Sequence, residues 1–193
     1  MGNFYTNITL RSHQARIIEL LEREERTAYV TPTVNGCTVV CDQESDEQDT
    51  DVLQELAALL SRELACAAFA VLNHDDDVLL YWLYENGHLT DQYDSTPNYF
   101  SENENEDALP SGGDAYRLCH AFGVMQNVAE VEDVLRTPSF SEDEHYLFAV
   151  ERHADLVEAL GVPLFSVGLG YTYIEEEYDL PEGLERDALR KVG

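Results

Sequence analysis

A repeat of two runs through residues 3–10 and places one set of side chains on a common face: Phe4, Thr6, Ile8 and Leu10. Such alternation is typical of a β-strand with a buried face, so the sequence predicts a first strand here. After it, Ser12 is the predicted N-cap of a helix that runs to about Glu24. The apolar stripe of this helix consists of Ile17, Ile18, Leu20 and Leu21.

Strand and helix patterns continue over the following residues. The segments TAYVTPTV and CTVVCD read as two strands, and they flank Asn35-Gly36, which favours the tight turn of a hairpin. Asp49 or Thr50 is the next predicted N-cap, for a helix from Asp51 to about Ala65 with an apolar stripe of leucines. The segment AAFAVL then predicts a short buried strand.

The predicted order β-α-β-β-α-β resembles the ferredoxin-like arrangement, in which two helices cover one face of an antiparallel sheet. Next, VLLYWLYE and HLTDQYD flank Asn86-Gly87, which predicts that a β-hairpin over residues 78–94 extends the sheet. Its first strand is apolar on both faces, so we expect both to be covered. A resemblance at the level of the fold carries almost no functional information.

The composition changes at residue 96. Residues 96–113 are acidic and contain two prolines and two glycines, which is typical of a linker or a long surface loop. The pattern beyond is mainly helical, and the predicted N-caps are Asp114, Asn127 and Ser141. The cap at Ser141 begins a predicted helix from about Glu142 to Leu160, whereas residues 163–177 fit either a helix or a strand.

These elements predict an α+β protein in three parts. Residues 1–95 form the ferredoxin-like α+β domain, residues 96–113 form the acidic linker or loop, and residues 114–193 form a mainly helical region packed on the sheet.

Charge is the outlying feature of the composition. The 193 residues include 39 acidic and 11 basic side chains, which gives a formal net charge of -28. Such a surface repels phosphate, so we expect no direct binding to nucleic acid or to an anionic membrane. The acidity fits either halophilic adaptation to a salty cytoplasm or a surface for a basic partner. Adaptation is favoured because acids occur along the whole chain, and it predicts a melting temperature that rises steeply with KCl.

The cysteines indicate reduced thiols. Cys37 and Cys41 are four residues apart in a predicted strand, so their side chains lie about 13 Å apart, too far for a disulfide or one zinc ion. Cys66 and Cys119 complete the set, and no CxxC motif, signal segment or long apolar run is present. The sequence therefore predicts a cytoplasmic protein.

The segment NHDDD, residues 73–77, is the strongest candidate for chemistry. His74, Asp75 and Asp77 form a candidate metal site, since carboxylates of this kind bind Mg²⁺ loosely. An EF-hand is excluded because the sixth residue from Asp75 is Leu80 rather than glycine. The favoured interpretation is a polar turn between two strands, in which the aspartates accept hydrogen bonds from backbone N–H groups.

Other candidate sites are incomplete. The helix predicted to end at Leu160 lacks two histidines at i and i+4, so we expect surface side chains at Glu144, His145, Glu151, His153 and Asp155. Cys119 and His120 are neighbours on a helix and point about 100° apart, which excludes a dyad. Ser166 lacks the first glycine of a nucleophile elbow.

Two further motifs have the wrong charge for their ligand. Gly168-Leu169-Gly170 lacks the third glycine of a dinucleotide loop and precedes acids that would repel a pyrophosphate. Residues 156–177 resemble a helix-turn-helix, but they contain no Arg or Lys to contact phosphate. Aromatic side chains fit either a core or a protein-binding groove, with the core favoured: Tyr81, Trp82, Tyr84, Tyr93, Tyr99, Phe100, Tyr171 and Tyr173.

No catalytic residue and no cofactor is predicted. The favoured hypothesis is a non-enzymatic cytoplasmic protein that acts through protein–protein interaction, with a basic protein as the candidate partner. One alternative is a metal-dependent hydrolase that uses the Asp75 and Asp77 loop. The other is an acidic nucleic-acid mimic, whose aligned carboxylates would imitate phosphates.

Overall fold

The computed structural model describes residues 2–97, 99–100, 109–139 and 146–193. Within them, the chain forms six α-helices and eight strands that pair antiparallel in one open sheet. The strands are β1 (Tyr5–Leu10), β2 (Ala28–Val30), β3 (Thr38–Asp42), β4 (Ala67–His74), β5 (Val78–Glu85), β6 (His88–Asp94), β7 (Ser111–Gly112) and β8 (Arg190–Val192). The helices are α1 (Gln14–Arg23), α2 (Thr50–Leu64), α3 (Ala115–Phe122), α4 (Val128–Arg136), α5 (Ala149–Leu160) and α6 (Tyr171–Glu175).

The sheet has the strand order β7-β6-β5-β4-β1-β3-β2-β8. β1 lies inside it, between β3 and β4, and all six of its residues are buried. Because side chains alternate along a strand, Ile8 of β1 packs on one face of the sheet and Tyr5 packs on the other. The sheet is therefore the middle layer of a mixed α and β structure.

Helices cover both faces of this sheet. On one face, α1 and α2 share a core with Trp82 and Tyr84 of β5. On the other face, α3, α4 and α5 pack on Tyr81 and Leu83, and α6 packs beside them on Val39 of β3. The prediction that both faces of β5 are covered is confirmed.

Both predicted Asn-Gly turns are present. The residues of Asn35-Gly36 and of Asn86-Gly87 have positive φ angles, as a type I′ turn requires. The bounds of β5 and β6 match the predicted segments. β2 ends at Val30 and is shorter than predicted, because Pro32 has no N–H group to donate to a strand ladder.

The predicted N-caps differ in outcome. Asp49 and Asp114 cap α2 and α3: the Asp49 carboxylate accepts two N–H groups of the first helical turn, and the Asp114 carboxylate accepts one. The prediction of Ser12 as an N-cap is wrong, because α1 begins after His13 and the Ser12 hydroxyl makes no hydrogen bond to the described residues. The start predicted at Glu142 lies outside the described residues, and α5 has its first residue at Ala149.

Residues 163–177, for which the sequence fits either a helix or a strand, form helix rather than strand in the structure. They contain a 3-10 turn at Leu164–Ser166 and the short helix α6, which includes the YTYI segment. The helix-turn-helix resemblance is thus reduced to a five-residue second helix that packs in the core beside β3.

Two short strands were not predicted. β7 lies within the predicted linker and pairs with β6, and β8 pairs with β2 at the opposite edge of the sheet. The division into parts at residues 95 and 113 stays a prediction. Among the described residues, no helix combines the length and the apolar character that crossing a lipid bilayer requires.

Candidate functional site

The turn between β4 and β5 carries the predicted metal residues. Asp75 and Asp76 have φ angles of 54° and 60°, and the N–H of Asp77 donates to the carbonyl oxygen of His74 at 3.0 Å. Left-handed backbone is uncommon outside glycine, although aspartate tolerates it because its short side chain bonds locally. The turn therefore depends on hydrogen bonds from its neighbours.

The start of the chain supplies these hydrogen bonds. Oδ1 of Asp75 accepts the N–H of Gly2 at 3.1 Å, and the Asp76 carboxylate accepts the N–H of Asn3 at 3.1 Å. The side-chain amide of Asn73 donates to Asp76 as well, at 2.9 Å. The predicted role of the aspartates as acceptors of backbone N–H groups is confirmed for Asp75 and Asp76.

Asp77 connects a second segment to the turn. Its Oδ2 accepts the hydroxyl of Tyr99 at 2.9 Å, and its carbonyl oxygen accepts the hydroxyl of Thr96 at 3.1 Å. The hydrogen bond to the carboxylate raises the pKa of Tyr99, because it stabilises the protonated phenol. Tyr99 and Phe100 are thereby placed beside the start of the chain.

Four rings meet at this place: Phe4, His74, Tyr99 and Phe100, which we call the aromatic corner. The centroid of the His74 ring lies 4.9 Å from that of Phe4 and 5.0 Å from that of Phe100, both edge-to-face. Tyr99 packs edge-to-face on Phe100 at 5.1 Å. The rings are open to solvent, since Phe4 is 51% exposed, Tyr99 37% and Phe100 66%. A cluster of exposed rings is typical of an interaction surface.

The His74 ring is positioned by these aromatic neighbours and by α2's N-terminal flank. Its Nδ1 lies 3.2 Å from Oε1 of Gln48. Asp75 and Asp77 bond elsewhere, and no three His, Cys, Asp or Glu side chains of the described residues are grouped so that they could hold a metal ion. The structure places His74, Asp75 and Asp77 in one turn, and the metal site there stays a prediction.

His153 contradicts the prediction of a surface side chain. It lies on α5 with 1% of its area exposed, and its Nδ1 is 2.6 Å from the Tyr5 hydroxyl. Burial lowers the pKa of His153 to about 3 and raises that of Tyr5, because both charged forms would lose their hydration. The pair is therefore neutral and enclosed, and it packs α5 on β1.

Arg152 is a buried cation that the sequence analysis missed. Its guanidinium donates to the carbonyl oxygens of Val134 at 2.5 Å and Thr137 at 2.6 Å, at the end of α4. The guanidinium carbon also lies 4.4 Å from the ring centroid of Tyr146. A cation at a helix C-terminus interacts favourably with the last carbonyl groups, so Arg152 joins α5 to α4. The sequence carries no signal for this burial, because Asp155 stands at i+3, where a surface ion pair with Arg152 would be expected.

The remaining acids of this helix have local partners. The side chain of Glu151 accepts the N–H of Phe148 at 3.1 Å and caps the first turn, and Asp155 accepts the Tyr146 hydroxyl at 2.7 Å. Glu144 and His145 lie outside the described residues. Of the candidate residues on this helix, Glu151 therefore caps the first turn, Asp155 makes a surface hydrogen bond and His153 is buried.

The candidate nucleophiles are shielded. All four cysteines are free, and burial raises the pKa of each thiol, that of Cys66 to about 11. A raised pKa makes the reactive thiolate scarce at neutral pH. Ser166 is fully buried. Neither the Ser166 hydroxyl nor any of these thiols is poised for attack on a substrate.

The aromatic residues separate into core and surface. Buried rings are those of Tyr81, Trp82, Tyr84, Tyr93 and Tyr171, so the preference for a core is correct for them. Tyr173 is partly buried and packs against the cluster that contains Tyr171, whereas Tyr99 and Phe100 are exposed. The exposed pair is the part that belongs to the aromatic corner.

No family model matches this chain, and no curated protein and no solved structure matches it either. Its function therefore has to be inferred from its own residues and their geometry.

Proposed function

We propose that this chain is a non-enzymatic protein that binds a basic partner, and that the aromatic corner is the place of contact. The observation that carries the proposal is a group of exposed rings at the turn that holds Asp75 and Asp77, with the Tyr99 hydroxyl hydrogen-bonded to the Asp77 carboxylate, on a chain with a net charge of -28. Aromatic side chains are enriched at the centres of protein interfaces, and flanking carboxylates favour a cationic partner.

Charge alone does not select a contact surface. Acids occur widely, and four of them line a groove of about 520 Å³ between α4 and α5: Glu130, Asp133, Asp155 and Glu158. A diffuse negative field speeds the approach of any cationic surface without choosing where it binds. The aromatic corner adds apolar area that a partner can bury, and this is why the proposal places the contact there.

Two observations support a role without catalysis. The raised thiol pKa values disfavour a cysteine nucleophile, and the His153–Tyr5 pair is enclosed where a substrate has no access. The alternatives, a metal-dependent hydrolase and a nucleic-acid mimic, stay predictions that no contact of the described residues favours. A cytoplasmic location is part of the proposal, and it is supported by four cysteines without disulfides.

The proposal includes a ferredoxin-like unit over residues 5–74 as the scaffold of the corner. Its support is the order of neighbouring strands, β4-β1-β3-β2, together with α1 and α2 on one face. The unit would position the β4–β5 turn at one end of the sheet, where Asn3 precedes β1.

The test is affinity capture from an extract of the native cells, with wild type compared to a Phe4→Ala/Phe100→Ala double variant. We expect wild type to enrich basic proteins and the double variant to lose them, because exposed rings contribute to binding without supporting the core. Tyr116→Ala, which removes an exposed ring on α3, is the matched control and should capture the same proteins as wild type. Capture of neutral or acidic proteins alone would contradict the proposal.

A further inference from the structure

We propose that the aromatic corner binds the guanidinium of an arginine side chain on the basic partner, in preference to a lysine ammonium. This inference rests on the function proposed above and specifies its chemistry. Three properties of the corner favour an arginine: open ring surface, carboxylate oxygens beside it, and a net charge of the chain that opposes binding of a second copy.

The ring surface suits a planar cation. Phe100 is 66% exposed and Phe4 is 51% exposed, while His74 lies edge-to-face with both. A guanidinium is flat and weakly hydrated, so it stacks on an open ring with little loss of hydration. An ammonium is compact and strongly hydrated, and it gains less from a surface that does not enclose it.

The carboxylates offer acceptors beside the rings. Within the described residues, Asp75 uses only Oδ1 and Asp77 uses only Oδ2 in hydrogen bonds, so each has a second oxygen for a ligand. A carboxylate has several acceptor positions, and its hydrogen bonds to a guanidinium are strengthened by charge. Tyr99 donates to the Asp77 carboxylate and packs on Phe100, so a guanidinium stacked on Phe100 has its donors near a negative charge.

A second copy of this chain is a poor occupant. Each copy has a net charge of -28, so two copies repel each other at ordinary ionic strength. Within the part of the chain that the structure describes, the corner consists of four rings beside carboxylates and contains no Arg or Lys side chain. The complementary surface is therefore a cationic one on another protein.

The experiment compares oligoarginine and oligolysine peptides of equal length, labelled at one end, by fluorescence anisotropy with the full chain. We expect oligoarginine to bind wild type about two- to fivefold more tightly, which corresponds to one exposed cation–π contact. Phe100→Ala should remove this preference while both peptides still bind through the general negative charge. Tyr116→Ala should retain the preference.

The outcomes separate this inference from the proposed function. Equal affinity of wild type for both peptides, or a preference that survives Phe100→Ala, would overturn the arginine assignment and leave a basic partner in place. Absence of binding by either peptide would remove the basic partner as well. Sedimentation of wild type as a dimer that Phe100→Ala converts to a monomer would assign the corner to a second copy and overturn the inference.

Discussion

Two histidines of this protein lie among aromatic rings, in opposite environments. His74 is half-buried at the aromatic corner, with Phe4 and Phe100 open to solvent around it. His153 is enclosed between α5 and β1, with the Tyr5 hydroxyl as its hydrogen-bond partner. In the sequence both appear as a histidine close to acids, so neighbours along the chain do not distinguish a contact surface from a core.

The surroundings explain the difference. His153 and its neighbour Arg152 are both buried. Their polar groups therefore hold α5 on the elements that pack against it. Around His74 the polar groups bind the start of the chain and leave the rings exposed. We therefore expect that removal of buried polar groups lowers the stability of the fold, whereas removal of the corner's rings weakens binding.

The largest loss of stability is expected for Arg152→Ala. The substitution opens a cavity and deprives the carbonyl oxygens of Val134 and Thr137 of their donors. We expect the free energy of unfolding to fall by about 2–4 kcal/mol, measured by urea denaturation. Arg117→Ala, at an exposed position of α3, is the control and should change it by less than about 0.5 kcal/mol. Equal stability of the two variants would contradict the claim that the buried Arg152 stabilises the fold more than an exposed arginine does.

The second prediction concerns acid. Burial holds the pKa of His153 at about 3, below its unfolded value of 6.5, so the unfolded chain binds one more proton between these values. The contribution of His153 is therefore fully present above pH 6.5 and is lost as the pH falls, by about 1.4 kcal/mol for each pH unit. Unfolding curves between pH 7 and pH 4 measure how the free energy of unfolding changes with pH. The carboxylates, which titrate in the same range, also contribute to this change as a background.

Substitution isolates the histidine from that background. His153→Gln does not titrate, so the stability of wild type minus that of this variant should decrease towards low pH. Tyr5→Phe removes the hydrogen-bonded hydroxyl and leaves the imidazole buried, so it should lower stability by about 1 kcal/mol at every pH and retain the slope. A pH-independent difference between wild type and His153→Gln would show that the buried ring is not what titrates.

A smaller loss of stability than at Arg152 is expected at the corner. Asp76→Ala removes the acceptor of the Asn3 and Asn73 hydrogen bonds and places alanine at a φ of 60°. We expect a loss of about 1–2 kcal/mol in the free energy of unfolding, less than at Arg152, because Asn3 is exposed and Asp76 is only partly buried. Asp76→Asn keeps one acceptor oxygen and should recover part of the loss. If Asp76→Ala lowered the free energy of unfolding more than Arg152→Ala, the polar groups of the corner would be more important for stability than the buried ones, contrary to this expectation.

The sequence predicted what depends on neighbouring residues. The β5–β6 hairpin follows from alternation around Asn86-Gly87, and the start of α2 follows from the Asp49 cap. That Asp75 and Asp76 accept N–H groups was predicted, because aspartates favour this role in turns. The donors themselves lie at the start of the chain, 73 residues away, and follow from no local pattern. β8 was missed because it is a three-residue strand at an edge, too short for a pattern.

What the sequence could not predict depends on contacts between distant segments. His153 and Tyr5 are 148 residues apart, so the burial of His153 follows from docking of α5 on β1 and from no local pattern. The corner joins Asn3 to Asp76 over 73 residues and Tyr99 to Asp77 over 22. The aromatic content near residue 99 was visible in the sequence, whereas its meeting with Phe4 needed the tertiary structure.

The most direct test of the central claim is an NMR titration of the full chain with an oligoarginine peptide. If the aromatic corner is the place where a basic partner docks, the side-chain signals of Phe4, His74 and Phe100 should shift at the lowest peptide concentrations. Signals of the acidic groove at Glu130 and Glu158 should follow only later. Shifts that spread evenly over acidic surfaces and leave the three rings unchanged would contradict the account.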